Sequence, residues 1–374
     1  MNKPFVPTPP PAPFDAAILG DGVIGLSTAL ELARHGASCA LVSASEAGGG
    51  SGAAAGILAP SVGHRDSNVR DFFHHSLDLF PAVLAALHEF DPGLALLEGL
   101  VEIVSEAERP IPGAYSKPLA ATELRRIEPS LSAPHGAVMH ARDGAIDSTR
   151  LLAALRHAVA HSPRIAVVRD AAARVDMTRS AGLVVTQSGR SIRARFVVLA
   201  AGAWSPLIEG LPRAVPVFPL KGQIIALDAD GVIHHPVRGD HVYLVPRDRE
   251  LVVGATSEEA GFDTTTSAEA ARSLHSAAID VCPTLAGARV TRHWAGLRPA
   301  TADLLPILGP DPESPSLIYA CGHSRNGILL APATAEVVRS FVDGRPSPHP
   351  ALARFSISRF KTAEGEAPAP QVQA

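Results

Sequence analysis

Cysteine is scarce in this chain. Its three copies, Cys39, Cys282 and Cys321, are widely separated and odd in number. They make no disulfide framework and no C-x-x-C pair, which excludes a stapled secreted mini-domain and suits a reducing compartment. An excess of charge is lacking too. The net charge of −4 and the isoelectric point near 6.5 make neither nucleic acid nor an anionic membrane an expected partner. No apolar run approaches the roughly 18 residues needed to span a bilayer. The opening MNKPFVPTPPPAPF has one lysine and then prolines where a secretory signal would be apolar. The default expectation is therefore a cytoplasmic protein. No H-E-x-x-H occurs, and the pairs His74-His75 and His234-His235 are adjacent rather than spaced as metal ligands, so no metal is expected. The segment Gly322-His-Ser-Arg-Asn is one residue off a nucleophile elbow, which argues against Ser324 as a nucleophile. There is no internal repeat. At 374 residues the chain can hold two domains and a large core.

What is present is concentrated between Phe14 and Pro60. Asp15 to Leu19 reads as a short buried strand, and Gly20, Gly22 and Gly25 then give G-x-G-x-x-G at the start of a helix. The first glycine permits a tight turn, the second lets backbone approach a pyrophosphate, and the third lets helix pack on strand. With Val23 and Ile24 in its first turn, the helix offers unpaired N–H groups to a phosphate. Ile24, Leu26, Ala29, Leu30 and Ala33 form its apolar stripe, Gly36 ends it, and Ser38 to Val42 is a second strand. One position departs from the pattern. The acid that ordinarily ends this strand and holds a ribose hydroxyl is Ser43, with Glu46 three residues further on as the alternative. A second glycine loop, 48–56, has almost no side chains, as expected of backbone lying against a flat ligand.

The remaining pattern alternates. Residues 1–13 form a proline-rich arm expected to be extended or disordered. Helical spacing runs from Asn68 to Phe90, strands and turns fill 91–150 around a helix near 121–128, and a helix capped within 145–150 runs through His157. Ile165–Val168, Arg174–Met177, Gly182–Thr186 and Ser191–Leu199 read as successive strands with hairpin turns, the last giving way to Ala201 and Gly202. Val215–Leu227 and Asp240–Ala255 look antiparallel, and a period of two puts His241, Tyr243 and Val245 on one face. Ser267 to Val281 is helical. After the strand His293–Pro299 and a loop to Gly309 comes a buried strand at Leu317–Ala320, and a last helix starts near Ile328. The end of the chain is a polar tail.

Five segments together resemble the D-amino-acid-oxidase superfamily of flavoproteins, most closely the glycine oxidases associated with thiamine biosynthesis. They are ILGDGVIGLSTALELARHG, SGAAAGILAP, FVVLAAGAWS, the pair HVYLVPRD and LVVGATSEEAGFD, and WAGLRPATADLLPILGP with GHSRNGILLAPATA. The resemblance covers about residues 14–345. It implies an α/β plus α+β architecture, with a Rossmann-like FAD-binding domain interleaved with an antiparallel-sheet substrate domain. The expected division is 14–80, 145–215 and 293–345 for FAD, 81–144 and 216–292 for substrate, and 346–374 as a C-terminal tail.

The resemblance also assigns roles. Arg298 of WAGLRP would hold a substrate carboxylate, a task that suits a planar bidentate guanidinium. Tyr243 would line the substrate site with His241 beside it, and Arg325 would close over substrate or flavin. Ala54, Ala55 and Gly56, with Ala201 and Gly202, would border FAD, and Val175 would meet the adenine side through its backbone. Asn326, Gly327, Ile328 and Leu329 would aim a helix start at the flavin. The implied reaction is oxidation of glycine or another small amino acid, by hydride transfer to noncovalently bound FAD, with oxygen as acceptor. Rival readings are a D-amino-acid oxidase, a quinone-linked dehydrogenase and a flavin-binding protein without turnover. A sarcosine-type oxidase is disfavoured, since Ala300-Thr-Ala302 stands where such enzymes carry a flavin-linking cysteine. Oligomeric state is left open, a homo-oligomer included.

Overall fold

The computed structural model describes residues 13–44, 48–63, 66–104, 115–345, 347 and 349–360. Glu46, residues 1–12 of the proline-rich arm and the tail from Lys361 lie outside them. Two sheets organise the chain. In the first, the strands Ile165–Arg169, Cys39–Ser43, Phe14–Leu19, Ser191–Leu199 and Leu317–Cys321 lie side by side and parallel. Cys39–Ser43 and Leu317–Cys321 are buried on both faces, whereas the edge strand Ile165–Arg169 and the first half of Ser191–Leu199 each keep exposed residues. Helices Val23–Arg34, Ser67–Asp78, Ser148–His161 and Gly327–Val342 contribute to the core on one face. The chain-order sequence of these strands reverses beside Phe14–Leu19, the place where open parallel sheets form a ligand crevice beyond their carboxyl ends.

The second sheet is mostly antiparallel. Its path is Val290–Ala300, Phe218–Asp228, Glu250–Gly254, Tyr243–Arg247, Val237–Arg238, Leu96–Ile103, Ala137–Ile146 and Ile57–Leu58. Helix Ala268–Val281, started by the Ser267 side chain accepting from Ala270 N–H, helps build a separate core on this sheet. Ile57–Leu58, Ala145–Ile146 and the whole Val290–Ala300 strand join this sheet. The Val290–Ala300 strand is drawn there by a long ladder to Phe218–Asp228 that pairs Leu220 with Arg298.

Some expectations are corrected locally. The helix expected across 68–90 is two, Ser67–Asp78 and Phe80–Leu87, because Pro81 has no N–H to continue the ladder and suits a first turn instead. The helix after Asp147 extends to His161, with Asp147 accepting from the N–H groups of Thr149 and Arg150 at 2.8 and 3.1 Å. Ile165–Arg169 makes no hairpin with its successor and pairs in parallel with Cys39–Ser43. The segment after residue 346 is not wholly a tail. Phe355 is fully buried with its ring edge-on to Phe72, and Arg359 binds Asp303 at 2.7 Å.

Pro332 interrupts the ladder of helix Gly327–Val342, and the buried Ser76 hydroxyl enters the gap. It donates to the Leu329 carbonyl at 2.7 Å and accepts from Ala333 N–H at 3.1 Å, the two groups an unbroken helix would join. Replacing Ser76 with Ala strands a buried donor and acceptor, at a cost of about 1–3 kcal/mol. A Ser76→Ala variant should unfold at lower urea with an unchanged m-value, and an unshifted midpoint would show that the ladder recloses without the hydroxyl.

Candidate active site

A single cavity of about 1210 Å³ runs from the glycine turn to the antiparallel sheet. That exceeds the ~300–1,000 Å³ of ordinary small-molecule sites and suits a dinucleotide with a small substrate. One end is built from backbone. Gly20, at φ +113°, faces the end of the neighbouring strand so closely that a Cβ there would stand 2.4 Å from the Ala200 carbonyl oxygen. A Cβ on Gly25 would stand 1.9 Å from the Gly20 carbonyl oxygen. Gly22, Val23 and Ile24 border the cavity at the helix start, as do Ala201 and Gly202 across the crevice. Ser51 of the second glycine loop was missed by sequence reasoning, although a lone hydroxyl among glycines was a visible signal. Its Oγ accepts from Val23 N–H at 3.0 Å and joins that loop to the helix start.

The second glycine loop is pinned to the antiparallel sheet. Leu297 N–H donates to the Gly48 carbonyl at 3.0 Å, and Trp294 Nε1 donates to the Ala53 carbonyl at 3.1 Å. Ser148 Oγ donates to the Ala54 carbonyl, and Arg247 Nη2 donates to that of Ala55 at 2.9 Å. Ala54, Ala55 and Gly56 therefore present a fixed backbone to the cavity. Asn326, Gly327 and Ile328 border it from the start of the last helix, after a short 3-10 turn at Ser324–Asn326. Leu329 does not; it is buried beneath that turn.

Three expected contacts are displaced. Ser43 is buried and does not border the cavity, which its neighbours Val42 and Ala44 do, because successive strand side chains point to opposite faces. Val175 is also withdrawn. Its N–H donates to the Glu209 carbonyl at 2.9 Å, while a register shift between Ala172 and Arg174 sets Ala173 at the cavity wall. His241 precedes the strand Tyr243–Arg247 and so does not share the expected face. It lies at the cavity rim with its side chain 76% exposed, 3.8 Å from Asp240.

Tyr243 and Arg298 are brought together on the cavity side of the antiparallel sheet, in space that glycines leave clear. A Cβ on Gly254 would stand 2.4 Å from the Tyr243 hydroxyl, and one on Gly222 would stand 2.4 Å from Arg298 Nη2. Arg298 Nη1 donates to the Thr256 carbonyl at 3.0 Å, and its guanidinium is in hydrogen-bonding reach of the Tyr243 phenol. Burial pushes that phenol above its ordinary value, with Arg298 opposing, so it stays protonated. Arg325 is exposed where it borders the cavity, its Nη2 against Gly63. Desolvation, with repulsion from Arg238 and Arg298, lowers it to about 10. His323, bonded through Nε2 to Thr334 at 2.9 Å, is pushed down to about 3 by burial and is neutral. Cys321 also borders the cavity, and burial raises its thiol to about 12. No group of three or more His, Cys, Asp or Glu that could hold a metal exists among the described residues.

The backbone-lined turn, the helix start free of acidic side chains in its first turn and the cationic far end fit FAD and an anionic substrate. Comparison with known proteins agrees. Residues 15–340 match the family described as FAD dependent oxidoreductase, DAO. The glycine oxidase of Pseudomonas putida is 33% identical over 344 residues, 87% of this chain and 94% of its own. That of Pseudomonas aeruginosa is also 33% identical, covering 90% and 98%. The crystal structure of the Geobacillus kaustophilus glycine oxidase superposes with a TM-score of 0.84 at 29% identity, over 93% of this chain and 99% of that one.

The loop that contacts Arg325 rests on one buried carboxyl. Asp143 accepts from Ser61 N–H at 3.1 Å and from Ser61 Oγ at 2.8 Å, and burial pushes it up to about 6. Its folded value is above its ordinary one. Its contribution to stability is therefore full below pH 4 and is lost as pH rises through about 6, by up to about 3 kcal/mol. Asp143→Asn should flatten the fall in unfolding free energy between pH 4 and pH 7, measured by urea titration. A slope identical to wild type would assign that fall to other groups.

Proposed function

We propose, from the premise that this chain belongs to the DAO family of FAD-dependent oxidoreductases and is an FAD-dependent amino-acid oxidase, that its substrate is glycine or another small amino acid. The observation that carries this reading is the pairing of Arg298 with Tyr243 on a glycine-cleared sheet face, across the cavity from the dinucleotide end. Gly20, Gly22, Val23 and Ile24 would hold the pyrophosphate, and Ala54, Ala55 and the start of helix Gly327–Val342 would border the flavin. FAD, when bound, would supply the acceptor for the hydride leaving the substrate Cα.

The chain's own residues bind and orient. Arg298 takes the carboxylate through parallel N–H bonds, and its bond to the Thr256 carbonyl fixes the plane of the fork. Tyr243, protonated, donates to the same carboxylate and limits the space beside Cα, which favours small side chains. Among the described residues the neutral His323 is bonded through Nε2 to Thr334 and Asp240 stands with His241 at the rim, so neither is assigned here as a base and the amine is taken to arrive unprotonated. Water then hydrolyses the imine. The balance is glycine, water and oxygen giving glyoxylate, ammonia and hydrogen peroxide. The FAD is noncovalent on this reading: Ala300 follows Pro299, and the Cys321 thiol stays protonated. Acid precipitation should leave the flavin in the supernatant, and yellow protein in the pellet would contradict this.

The decisive experiment is an anaerobic half-reaction with glycine, sarcosine and D-alanine, followed by reoxidation in air. Flavin bleaching is expected, faster as pH rises toward the substrate amine pKa. Arg298→Leu should raise the apparent KM steeply, by about 2–5 kcal/mol in binding terms, while FAD stays bound. Flavin left oxidised by every amine would end this reading. Bleaching with sluggish reoxidation would make the chain a dehydrogenase with another acceptor.

A further inference from the structure

Four arginines border the cavity, and Arg298 is one of the three, with Arg325 and Arg238, that lack an acidic partner among the described residues. Arg325 comes from the 3-10 turn Ser324–Asn326, and Arg238 from the short strand Val237–Arg238, directly across the ladder from Tyr243. All three guanidinium groups are near enough for Arg238 and Arg298 to act on Arg325 electrostatically. Among the described residues, none of the three has a carboxylate within 4.0 Å, and only Arg298 has a hydrogen-bond acceptor. Elsewhere around the cavity the arginines have acidic partners. Asp21 is 3.6 Å from Arg156, and Arg247, on the Tyr243 strand, is 3.6 Å from Asp147. The acids that border the cavity are Asp21, Glu209 and Asp240. Asp240 stands with His241 at the rim, and Glu209 is tied through its backbone to Ala173 and Val175.

Three unpaired cations facing one cleft repel one another and are held together only at a cost, which an anion entering the cleft relieves. A single amino-acid carboxylate occupies one guanidinium fork. The pyrophosphate belongs to the glycine turn at the other end, and negative charge on a reduced flavin accounts for one further cation at most. One arginine then remains without a counter-charge. We propose that the preferred substrate is a short amino acid carrying a second carboxylate, with Arg298 holding the α-carboxylate and Arg238, aided by Arg325, holding the second. The inference rests on the assignment of Arg298 made above. Sequence reading passed over Arg238 because an arginine just before a strand has no distinguishing neighbour.

Binding is tested on the holoenzyme by flavin absorbance, titrating malonate against acetate at fixed ionic strength. Malonate should bind at least tenfold more tightly. That ratio should fall toward one in Arg238→Leu and recover in part in Arg238→Lys. Turnover is tested by anaerobic half-reactions with D-aspartate and iminodiacetate beside D-alanine and glycine, and the dicarboxylates should give the larger ratio of reduction rate to dissociation constant. These wild-type comparisons need no variant to fold. Equal affinity for malonate and acetate, or a preference that survives Arg238→Leu, overturns the proposal. Bleaching by glycine without any dicarboxylate preference overturns it alone. Bleaching by no amine at all overturns the amino-acid oxidase reading and the proposal with it.

Discussion

Where the parallel strand order reverses, between Phe14–Leu19 and Ser191–Leu199, backbone atoms approach one another more closely than any side chain would allow. Gly20 faces the Ala200 carbonyl and Gly25 faces the Gly20 carbonyl, and a Cβ at either would overlap a main-chain oxygen. The crevice depends on this constraint twice. It brings the helix start down to the strand ends, so that N–H groups and not side chains meet the ligand. It also leaves the space above the turn free for the second glycine loop, which Ser51 ties back to Val23.

Electrostatics divides the cavity in the same sense. At the glycine end, the partial charge comes from backbone, and the one nearby carboxylate, Asp21, has a partner in Arg156. At the sheet end, the charge is carried by Arg238, Arg298 and Arg325, which have no carboxylate within 4.0 Å among the described residues. Between them the titratable groups are held neutral by burial: the Tyr243 phenol and the Cys321 thiol by an upward shift, and His323 by a downward one. A neutral middle with cations beyond it gives an anionic amine one direction in which to point. On the proposed reading its charged end would go to the arginines and its reacting carbon would lie over the uncharged part of the cleft.

Much of this was legible in the sequence because it rests on short-range rules. The glycine spacing, the apolar runs of the parallel strands and the Asp147 cap each fix local backbone, and the motifs around Arg298 and Arg325 mark the site. What was not legible depends on pairing across the chain. Nothing local distinguishes Ile165–Arg169 as a parallel partner of Cys39–Ser43 from a hairpin strand. Period two was extended one turn too far at His241, because the strand starts only at Tyr243. Val175 was expected at the ligand, but its N–H is taken by the Glu209 carbonyl and Ala171 to Ala173 border the cavity, which no composition rule foresees. Arg238 belongs to the same class, as its neighbours in space are Tyr243, Arg298 and Arg325 rather than anything beside it in the chain.

The strand Tyr243–Arg247 shows how the two ends of the site are kept in register. Alternation puts Tyr243, Val245 and Arg247 on one face. Tyr243 meets Arg298 at the cleared surface, and four residues along, Arg247 reaches the carbonyl of Ala55. A rise of about 3.4 Å per residue, in a strand laddered along its whole length to Glu250–Gly254, sets the spacing of these two residues along the sheet. Tyr243 and the loop at Ala55 are therefore positioned by one element. The separate bond from Trp294 to Ala53 repeats the arrangement on the strand that carries Arg298. Two strands of one sheet thus carry Tyr243 and Arg298 and also anchor the same loop, through Arg247 on one and Trp294 and Leu297 on the other, so movement of that loop relative to Tyr243 and Arg298 would require these bonds to break.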